Sequence, residues 1–376
     1  MTHDPVLPGW SISAGAAVRY DIVFADDVFD TVNGSLAALS VAAYPATTRR
    51  FVVVDANVDR LHGARLRAYL DHHGISDDPF VLETSEETKT LDTVVRVADA
   101  LDAHGVDRRQ PVLAIGGGVL LDVVGLTASL YRRGTPYLRV PTTVVGLVDA
   151  GVGAKTGVNH GGHKNLFGAY HPPVAALLDR RLLATLDRRH VVNGLAEILK
   201  IALIRDRDLF ELIAARGGAL VDERLQGDDD LEVLTRAVGG MLDELRDNLW
   251  EKRLARLVDY GHSISPALEM KALPALLHGE AVAVDMALST VVAARRGLLE
   301  PRDRDRVLDV LRAVGLPLTH EALDSDLLRA GLAATTRHRG GRQRMPLPTG
   351  IGSARFCDDV TEGELAVAAK ELGDYR

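Results

Sequence analysis

A change in hydrophobic pattern about halfway along the chain limits the folds that it can adopt. Up to about residue 180, short runs rich in β-branched residues alternate with longer stretches of helical periodicity. This alternation is typical of a parallel sheet with helical crossovers. The predicted strands are Tyr20–Phe24, Phe51–Asp55, Phe80–Glu83, Val112–Ile115 and Tyr137–Val140.

Beyond Asp179 the strand pattern almost disappears, and long helical segments follow. They are predicted at 189–203, 228–247, 263–270, 279–296, 302–314 and 361–372. The sequence therefore predicts an α/β fold in two domains. A Rossmann-like nucleotide-binding domain (residues 1–180) precedes an all-helical metal- and substrate-binding domain (residues 181–376), and the cleft between them is the expected active site.

Charge and cysteine content exclude several classes of protein. The 376 residues carry a formal charge of −8, which argues against a nucleic-acid binder because phosphates require a basic surface. The single cysteine, Cys357, rules out an intramolecular disulfide and fits a reducing cytoplasm. The apolar run Ala281–Ala294 is too short to cross a bilayer, and the N-terminus lacks a signal-peptide profile. We therefore expect a cytoplasmic protein that does not associate with membranes.

Three glycines, residues 116–118, follow a predicted strand directly and open a helical run. Such a turn lets the backbone approach a pyrophosphate, whose charge then lies against the helix N-terminus. The pattern is not a full G-x-G-x-x-G, and a simple tight turn is the alternative. Asp55, at the end of an earlier strand, is suited to accept ribose hydroxyls; the alternative is a solvated strand-end carboxylate.

Glu197, His262 and His278 form a candidate metal site in the helical half. Glu197 lies one helical turn from Lys200, so both side chains share a helix face, and each histidine adjoins a glycine at a helix start. One carboxylate and two imidazoles suit a catalytic Zn²⁺ and leave positions open for substrate oxygens. Buried histidines that serve only as core hydrogen-bonding residues are the alternative.

The segment from Asp149 to Asn165 is dense in glycine, lysine and asparagine. Ammonium and amide donors of this kind hold phosphate groups, whereas a flexible surface loop is the alternative. The apolar stretch Leu166–Tyr170 that follows favours the anion site, because a flexible linker does not need it.

Taken together, these motifs resemble the sugar-phosphate cyclase superfamily, whose best-known member is 3-dehydroquinate synthase. The resemblance covers nearly the whole chain and rests on seven motifs in order: GGGVLLDVVG (116–125), YRRG (131–134), PTT (141–143), DAGVGAKTGVNHGGHKN (149–165), GLAEILK (194–200), DYGHS (259–263) and LHGEAV (277–282).

The resemblance implies a role for each matching position. The metal ligands for Zn²⁺ or Co²⁺ would be Glu197, His262 and His278. The NAD⁺-binding positions would be Asp55, Asn57, Glu86, Lys89, Gly116, Gly117, Gly118, Asp122, Thr142 and Thr143. The catalytic and substrate-binding positions would be Asp149, Lys155, Lys164, Asn165, Lys200 and Asp259. Arg133 matches an arginine that reaches the phosphate site of the neighbouring subunit, which implies a homodimer.

Departures from the dehydroquinate synthase pattern bear on the substrate. Pro266 stands where that enzyme has a second histidine, and Asp259 stands where it has asparagine. An ungapped alignment places Met241 and Ala255 at the two positions whose cations meet the substrate carboxylate, although arginines lie close to the second position. An unpaired buried carboxylate is costly, so we expect a sugar phosphate that has none.

Two segments, residues 241–251 and 342–352, look like those of sedoheptulose 7-phosphate cyclases, and Ser265-Pro-Ala-Leu-Glu269 looks most like the 2-epi-5-epi-valiolone synthases of bacterial C7-cyclitol biosynthesis. The reaction so implied is a transient NAD⁺-dependent oxidation, β-elimination of phosphate, reduction and aldol ring closure. Residues 337–344, rich in arginine, are the candidates to replace a C-terminal phosphate-binding lysine. The alternatives are a cyclase that forms 2-epi-valiolone, desmethyl-4-deoxygadusol, 2-deoxy-scyllo-inosose or dehydroquinate, a metal-dependent polyol dehydrogenase, or a non-catalytic nucleotide binder.

Overall fold

A computed structural model of the chain describes residues 18–43, 49–76 and 78–375. Six parallel strands form its central sheet in the order β1-β8-β5-β4-β2-β3. Their bounds are β1 Asp21–Phe24, β2 Phe51–Asp55, β3 Phe80–Leu82, β4 Val112–Gly116, β5 Tyr137–Pro141 and β8 Ala175–Leu178. The five predicted strands are confirmed. The sixth, β8, was missed because Ala175-Ala-Leu-Leu178 contains no β-branched residue.

Four helices accompany the strands of this sheet, and nine follow them in the chain. The first four are α1 Ser35–Ala43, α2 Ala56–His72, α3 Leu91–Ala103 and α4 Gly118–Leu130. The others are α5 Arg188–Arg205, α6 Arg207–Arg216, α7 Gly218–Asp222, α8 Asp230–Arg246, α9 Ser265–Ala272, α10 His278–Arg295, α11 Pro301–Ala313, α12 Ser325–His338 and α13 Glu362–Asp374. The last helix begins with a capping box, in which Thr361 and Glu364 each bond the other's backbone. Among the described residues, no helix has the length and apolarity needed to cross a membrane.

The cationic segment forms a β-hairpin and not a loop. Strand β6 (Lys155–His160) pairs antiparallel with β7 (His163–Tyr170). The turn between them consists of Gly161 and Gly162, whose φ angles of 56° and 77° suit glycine. This hairpin packs against α4 and α9 and so projects from the sheet toward the helical half.

The helical half is not all helical, which corrects the prediction. Strand β9 (Met345–Gly350) pairs antiparallel with β10 (Ser353–Cys357). Pro346 and Pro348 hid the strand in the sequence, because proline cannot donate to a ladder and is tolerated only at an edge.

Helix α5 joins the two halves of the molecule. Fourteen consecutive residues of this helix, Val191 to Ile204, are buried. The apolar ones belong to a core cluster that also contains Ala176 and Leu178 of β8 and much of the helical half. A Cβ atom at Gly194 would lie only 2.1 Å from that of Val144, so the absence of a side chain permits this approach. Glu197 and Lys200 therefore lie where the sheet meets the helices.

Candidate active site

The three residues predicted to bind a metal come together in the structure. Glu197 is fully buried on α5, His262 follows a short helical turn at Leu257–Asp259, and His278 is the first residue of α10. Oε1 of Glu197 lies 3.3 Å from Nε2 of His278 and 3.7 Å from Nε2 of His262. One ligand atom from each residue lies within 4.8 Å of the others. Tetrahedral bonds of about 2.0–2.1 Å would separate ligand atoms by about 3.3 Å, close to these distances.

Both imidazole rings are held by their second nitrogen. Nδ1 of His278 lies 3.0 Å from a carboxylate oxygen of Glu269, and Nδ1 of His262 lies 3.2 Å from the carbonyl oxygen of Tyr260. An Nδ1–H donated to these acceptors leaves the Nε2 lone pairs directed at Glu197. Histidines that bind metal ions are oriented in this way.

The electrostatics of the triad favour a cation. Burial acts to raise the pKa of Glu197, but Lys200 and the two histidines outweigh it and hold that pKa well below its usual value. Burial lowers the pKa of His262 to about 4, and the Lys200 ammonium adds to this effect. Burial and Lys164 act to lower the pKa of His278, yet the flanking Glu269 and Glu197 raise it to about 9.

The donor set fits a divalent metal. One carboxylate oxygen of Glu197, Oε2, contacts the Lys200 ammonium, whereas Oε1, which faces both imidazoles, accepts no hydrogen bond of acceptable geometry from a described residue. A buried carboxylate oxygen without a donor is costly unless a cation reaches it. Zn²⁺ and Co²⁺ both accept one carboxylate and two imidazoles as ligands, and a metal bound at His278 would replace the proton that its raised pKa favours.

Two lysines predicted to contact substrate lie beside the triad. Lys200 is buried, and its ammonium contacts Glu197, as the spacing on one helix face predicted. Burial acts to lower the pKa of Lys200, but Glu197 and Asp149 raise it. The turn Gly146–Ala150, which carries Asp149, packs against α5. Lys164, on β7, donates to both carboxylate oxygens of Glu269 at 2.5 and 2.6 Å. Glu269 therefore links this lysine to His278, a relationship that the sequence did not reveal.

A second group of charges surrounds Asp259. Its carboxylate accepts from Arg256 and, at 2.9 Å, from the buried Arg339. Arg256 also contacts Glu251, which pairs with Lys155 as well. Glu251, Arg256 and Arg339 were missed as individual site residues, because their side chains join the site only through tertiary packing.

We expected no cation at positions 241 and 255, where dehydroquinate synthase has two, and this expectation needs correction. Met241 is buried among apolar residues of α8, but Arg256 enters the site next to Ala255. The ungapped alignment missed it by one residue. Glu251 and Asp259 both pair with Arg256, so two acidic groups already contact its guanidinium, although Lys155 and Arg339 share them.

The predicted cofactor residues divide into two neighbouring groups. The glycine turn lies between β4 and α4, where the amide of Thr142 donates to the carbonyl of Gly116 at 3.0 Å. A Cβ atom at Gly117 would lie 3.0 Å from the Thr143 methyl group, and one at Gly118 would lie 3.4 Å from Ala150. Only backbone atoms therefore cover the N-terminus of α4. A pyrophosphate can approach the helix closely only under this condition.

Asp55 is buried at the adjacent strand end and is not a solvated carboxylate. It caps α2 by accepting the amide of Asn57 at 2.8 Å, and its other oxygen accepts the hydroxyl of Thr84 at 2.5 Å. These bonds hold the carboxylate at the carboxyl edge of the sheet, next to β4.

The second group links α4 to the hairpin. The buried Lys89 donates to Asp122 at 2.6 Å and to the side-chain oxygen of Asn165 at 2.8 Å. Glu86 accepts from Asn159 at 2.8 Å. Lys89 therefore lies between the predicted cofactor residues and the predicted substrate residues.

Two predicted substrate residues lie apart from these ion pairs. Arg133 is exposed in a turn where both it and Arg132 have positive φ angles of 62° and 50°. Within the described part of the chain, Arg133 makes no hydrogen bond or ion pair with the triad. Pro266 is in the first turn of α9, where its missing N–H does not break a helical hydrogen bond.

The fold and the site together define an enzyme that combines a nucleotide-binding α/β domain with a metal triad in an adjoining helical domain. The model of the 3-dehydroquinate synthase N-terminal domain matches residues 79–193, and that of the C-terminal domain matches residues 194–336. The chain belongs to the 3-dehydroquinate synthase family.

Individual relatives are similar over almost the whole chain. A 2-epi-5-epi-valiolone synthase from Actinoplanes sp. is 55% identical, covering 96% of this chain and 92% of its own. One from Actinomyces sp. is 54% identical, covering 96% and 97%. The structure of ValA, a 2-epi-5-epi-valiolone synthase from Streptomyces hygroscopicus subsp. jinggangensis 5008 with NAD⁺ and Zn²⁺ bound, is 53% identical. It matches with a TM-score of 0.93 over 97% of this chain and 99% of that one.

Proposed function

We propose that this enzyme cyclises sedoheptulose 7-phosphate to 2-epi-5-epi-valiolone with release of inorganic phosphate, using NAD⁺ and Zn²⁺ or Co²⁺. The observation that carries the proposal is the convergence of a Glu197–His262–His278 triad with Lys164 and Lys200. A metal site beside ammonium groups suits a substrate that carries both hydroxyls and a phosphate.

When bound, the metal supplies Lewis-acid polarisation of substrate oxygens, and NAD⁺ supplies a transient two-electron oxidation. Glu197, His262 and His278 would hold the metal. The backbone at residues 116–118 would bind the pyrophosphate of NAD⁺, and Asp55 would accept its ribose hydroxyls. The remaining cofactor residues are Asn57, Glu86, Lys89, Asp122, Thr142 and Thr143.

The lysines and acidic groups act on the substrate. The buried Lys200 stabilises negative charge that develops on an oxygen next to the metal site, because it lies in a low-dielectric environment. Lys155 does the same for the departing phosphate, and Asp149 and Asp259 orient hydroxyls. Lys164 and Asn165 bind the phosphate from the hairpin, and Pro266 closes this side of the pocket without offering a charge.

The ion pairs of Arg256 support a substrate without a carboxylate. Arg256 would be the natural partner of a substrate carboxylate, but Glu251 and Asp259 already contact its guanidinium. A carboxylated sugar would have to compete with both acidic groups for this arginine. A neutral hydroxyl does not meet this penalty.

We also propose that the enzyme is a homodimer in which Arg133 reaches the phosphate site of the partner subunit. The exposed left-handed turn at Arg132 and Arg133 supports this role, because backbone strain of this kind is retained at functional positions. Leu166 and Phe167, exposed on β7 by 55% and 42%, offer apolar surface for such a contact. A cytoplasmic location accompanies the proposal, since the one thiol is free and buried.

A mixing experiment tests the dimer. Arg133→Ala and His278→Ala chains should each be inactive alone. Hybrid dimers would contain one site that has both groups intact, so mixing should restore part of the activity. Activity that stays absent after subunit exchange, or a monomer by light scattering, would rule out the shared site.

Inorganic phosphate release tests the reaction itself. Enzyme with NAD⁺ and Zn²⁺ or Co²⁺ is offered sedoheptulose 7-phosphate, 3-deoxy-arabino-heptulosonate 7-phosphate or glucose 6-phosphate. We expect release from the first alone, without accumulation of NADH, and a product whose stereochemistry NMR identifies as 2-epi-5-epi-valiolone. Release from the carboxylated sugar would contradict the role given to Arg256. NADH accumulation without phosphate release would indicate a polyol dehydrogenase.

A further inference from the structure

Arg139 is a fully buried arginine at the centre of the sheet, on β5. None of the described carboxylates pairs with it. Its guanidinium donates instead to the carbonyl oxygens of Ala150 at 2.9 Å and Gly153 at 2.5 Å, and to that of Lys155 at 3.3 Å. Its remaining partner is the hydroxyl of Tyr137 at 2.5 Å. Burying a cation without a carboxylate partner costs free energy. The fold therefore retains this arginine for the directions in which its guanidinium donates hydrogen bonds.

All three carbonyl groups belong to one short segment, residues 150–155, which follows Asp149 and ends at Lys155. This segment is irregular: it begins at a π-helical turn, Gly146–Ala150, and ends where β6 begins. Irregular backbone leaves carbonyl groups without ladder or helix partners, and burial makes such groups costly. The planar guanidinium of Arg139 donates to three of these carbonyl groups at once. The ammonium group of a lysine cannot reproduce this geometry.

A second side chain acts on the same segment. The hydroxyl of Tyr20 donates to the carbonyl oxygen of Val152 at 2.9 Å. The backbone amides of Gly151, Val152 and Gly153 bond back into the turn, to Gly146 and Asp149. The segment is therefore held from inside the sheet. At one end, the turn that carries Asp149 packs against α5, the helix of Lys200, and at the other end Lys155 pairs with Glu251.

We propose that Arg139 is a positioning residue: its buried guanidinium fixes residues 150–155 and thereby sets the positions of Asp149 and Lys155 in the active site. The expected effect of Arg139 on turnover rests on the proposed function. Its expected effect on the order of residues 146–155 does not depend on the identity of the substrate.

Arg50 provides a matched control. It is also a buried arginine, and it also donates to carbonyl oxygens, those of Leu36 at 2.8 Å and Ala37 at 2.7 Å. It lies before the first residue of β2, at the amino edge of the sheet, whereas the site lies at the carboxyl edge. Arg50→Gln should therefore lower stability without displacing residues 150–155.

The test combines hydrogen–deuterium exchange with kinetics on the holoenzyme. Arg139→Gln should accelerate exchange of the amides in 146–155 and lower kcat about 100-fold, the scale of a misplacement of catalytic groups by about 1 Å. Arg139→Lys should fall between Arg139→Gln and wild type. Tyr20→Phe, which removes one hydrogen bond, should change both readouts slightly in the same direction and remains informative if Arg139→Gln does not fold. Arg50→Gln should leave the amide exchange of residues 146–155 and kcat close to wild type, once kcat is corrected for the folded fraction.

Two results would overturn the inference: unchanged exchange in 146–155 in the Arg139 variants, or a kcat loss no greater than that of Arg50→Gln. A wild-type enzyme that releases no phosphate from sedoheptulose 7-phosphate would instead contradict the proposed function. The exchange data would still decide the role of Arg139 in that case.

Discussion

Asp285, within α10, accepts the backbone N–H of Ile264 at 2.6 Å. The same carboxylate oxygen accepts the N–H of Ser265 at 3.0 Å, so Asp285 satisfies two amides at the start of α9. Ile264 follows His262 by two residues, and Asp285 lies on the helix that begins with His278. One buried carboxylate thus ties the segment carrying one predicted metal ligand to the helix carrying another.

Replacing Asp285 by alanine should weaken both the fold and the metal site. Two buried amides would lose their acceptor, which lowers the free energy of unfolding by about 1–3 kcal/mol for each. His262 would also lose its fixed position relative to His278. Loss of such supporting contacts typically lowers metal affinity by about 10–100-fold. Urea denaturation of the apoenzyme and Zn²⁺ competition with a chelator measure the two effects. Ser289→Ala, which removes only a 3.4 Å contact to Asp285, is the milder control; unchanged Zn²⁺ affinity in Asp285→Ala would refute the coupling.

Replacing His278 by alanine should abolish both metal binding and turnover. The variant removes one of the three proposed ligands and leaves Glu197 without one of its two imidazole neighbours. Metal content after gel filtration, together with phosphate release, measures the outcome. His190→Ala, at an exposed histidine of α5, should retain both properties. Near-normal activity with full metal occupancy in His278→Ala would show that the ligand assignment is wrong.

Gly279 and Gly239 should respond oppositely to alanine. A Cβ atom at Gly279 would lie 1.8 Å from the carbonyl oxygen of Asn193, so α10 must shift and carry His278 with it. We expect the free energy of unfolding to fall by about 1–3 kcal/mol and metal binding to be lost. Gly239 lies exposed within α8 with nothing within 4 Å of its Cβ position, so Gly239→Ala should stabilise the protein by about 0.5–1 kcal/mol. Thermal denaturation compares them, and equal effects would contradict the packing explanation.

Glu364 should make part of the stability dependent on acid pH. Bonds from Arg296, acting against a smaller effect of burial, lower the pKa of Glu364 from 4.5 to about 2. A folded-state pKa below the unfolded one adds stability above about pH 4.5 that is lost as the pH falls through about 2. The contribution is on the order of 1 kcal/mol once solvent screening of a partly exposed pair is allowed for.

Glu364→Gln should therefore be less stable than wild type at pH 5.5, and the difference should shrink toward pH 3. Urea denaturation at the two pH values measures it. Glu362→Gln, whose ion pair with Arg329 is 3.8 Å long, should show little change. A difference that stays constant with pH would mean that ionised Glu364 does not stabilise the fold.

Local pattern was sufficient for much of the fold. Alternating runs predicted five strands of the sheet, and helical periodicity predicted α5, α8, α9, α10, α11 and α13 but not α6, α7 and α12. The errors also have local causes: Ala175–Leu178 lacks β-branched residues, and prolines in Met345–Gly350 hide an edge strand. The hairpin that carries Lys164 was expected only as an anion-binding segment, because glycine and lysine are poor strand formers and tertiary packing overrides that preference.

The sequence by itself determined which groups are available and which lie on a common face. Glu197 and Lys200 had to meet because three residues make nearly one helical turn, and the motif order indicated the family before any distance was known. Tertiary structure alone decided that Glu269 joins Lys164 to His278, that Arg256 pairs with Glu251 and Asp259, and that Arg139 holds residues 150–155. Those contacts join residues far apart in the chain or on different elements. Their energies depend on separations of about 3 Å in a buried environment, which only the packed fold specifies.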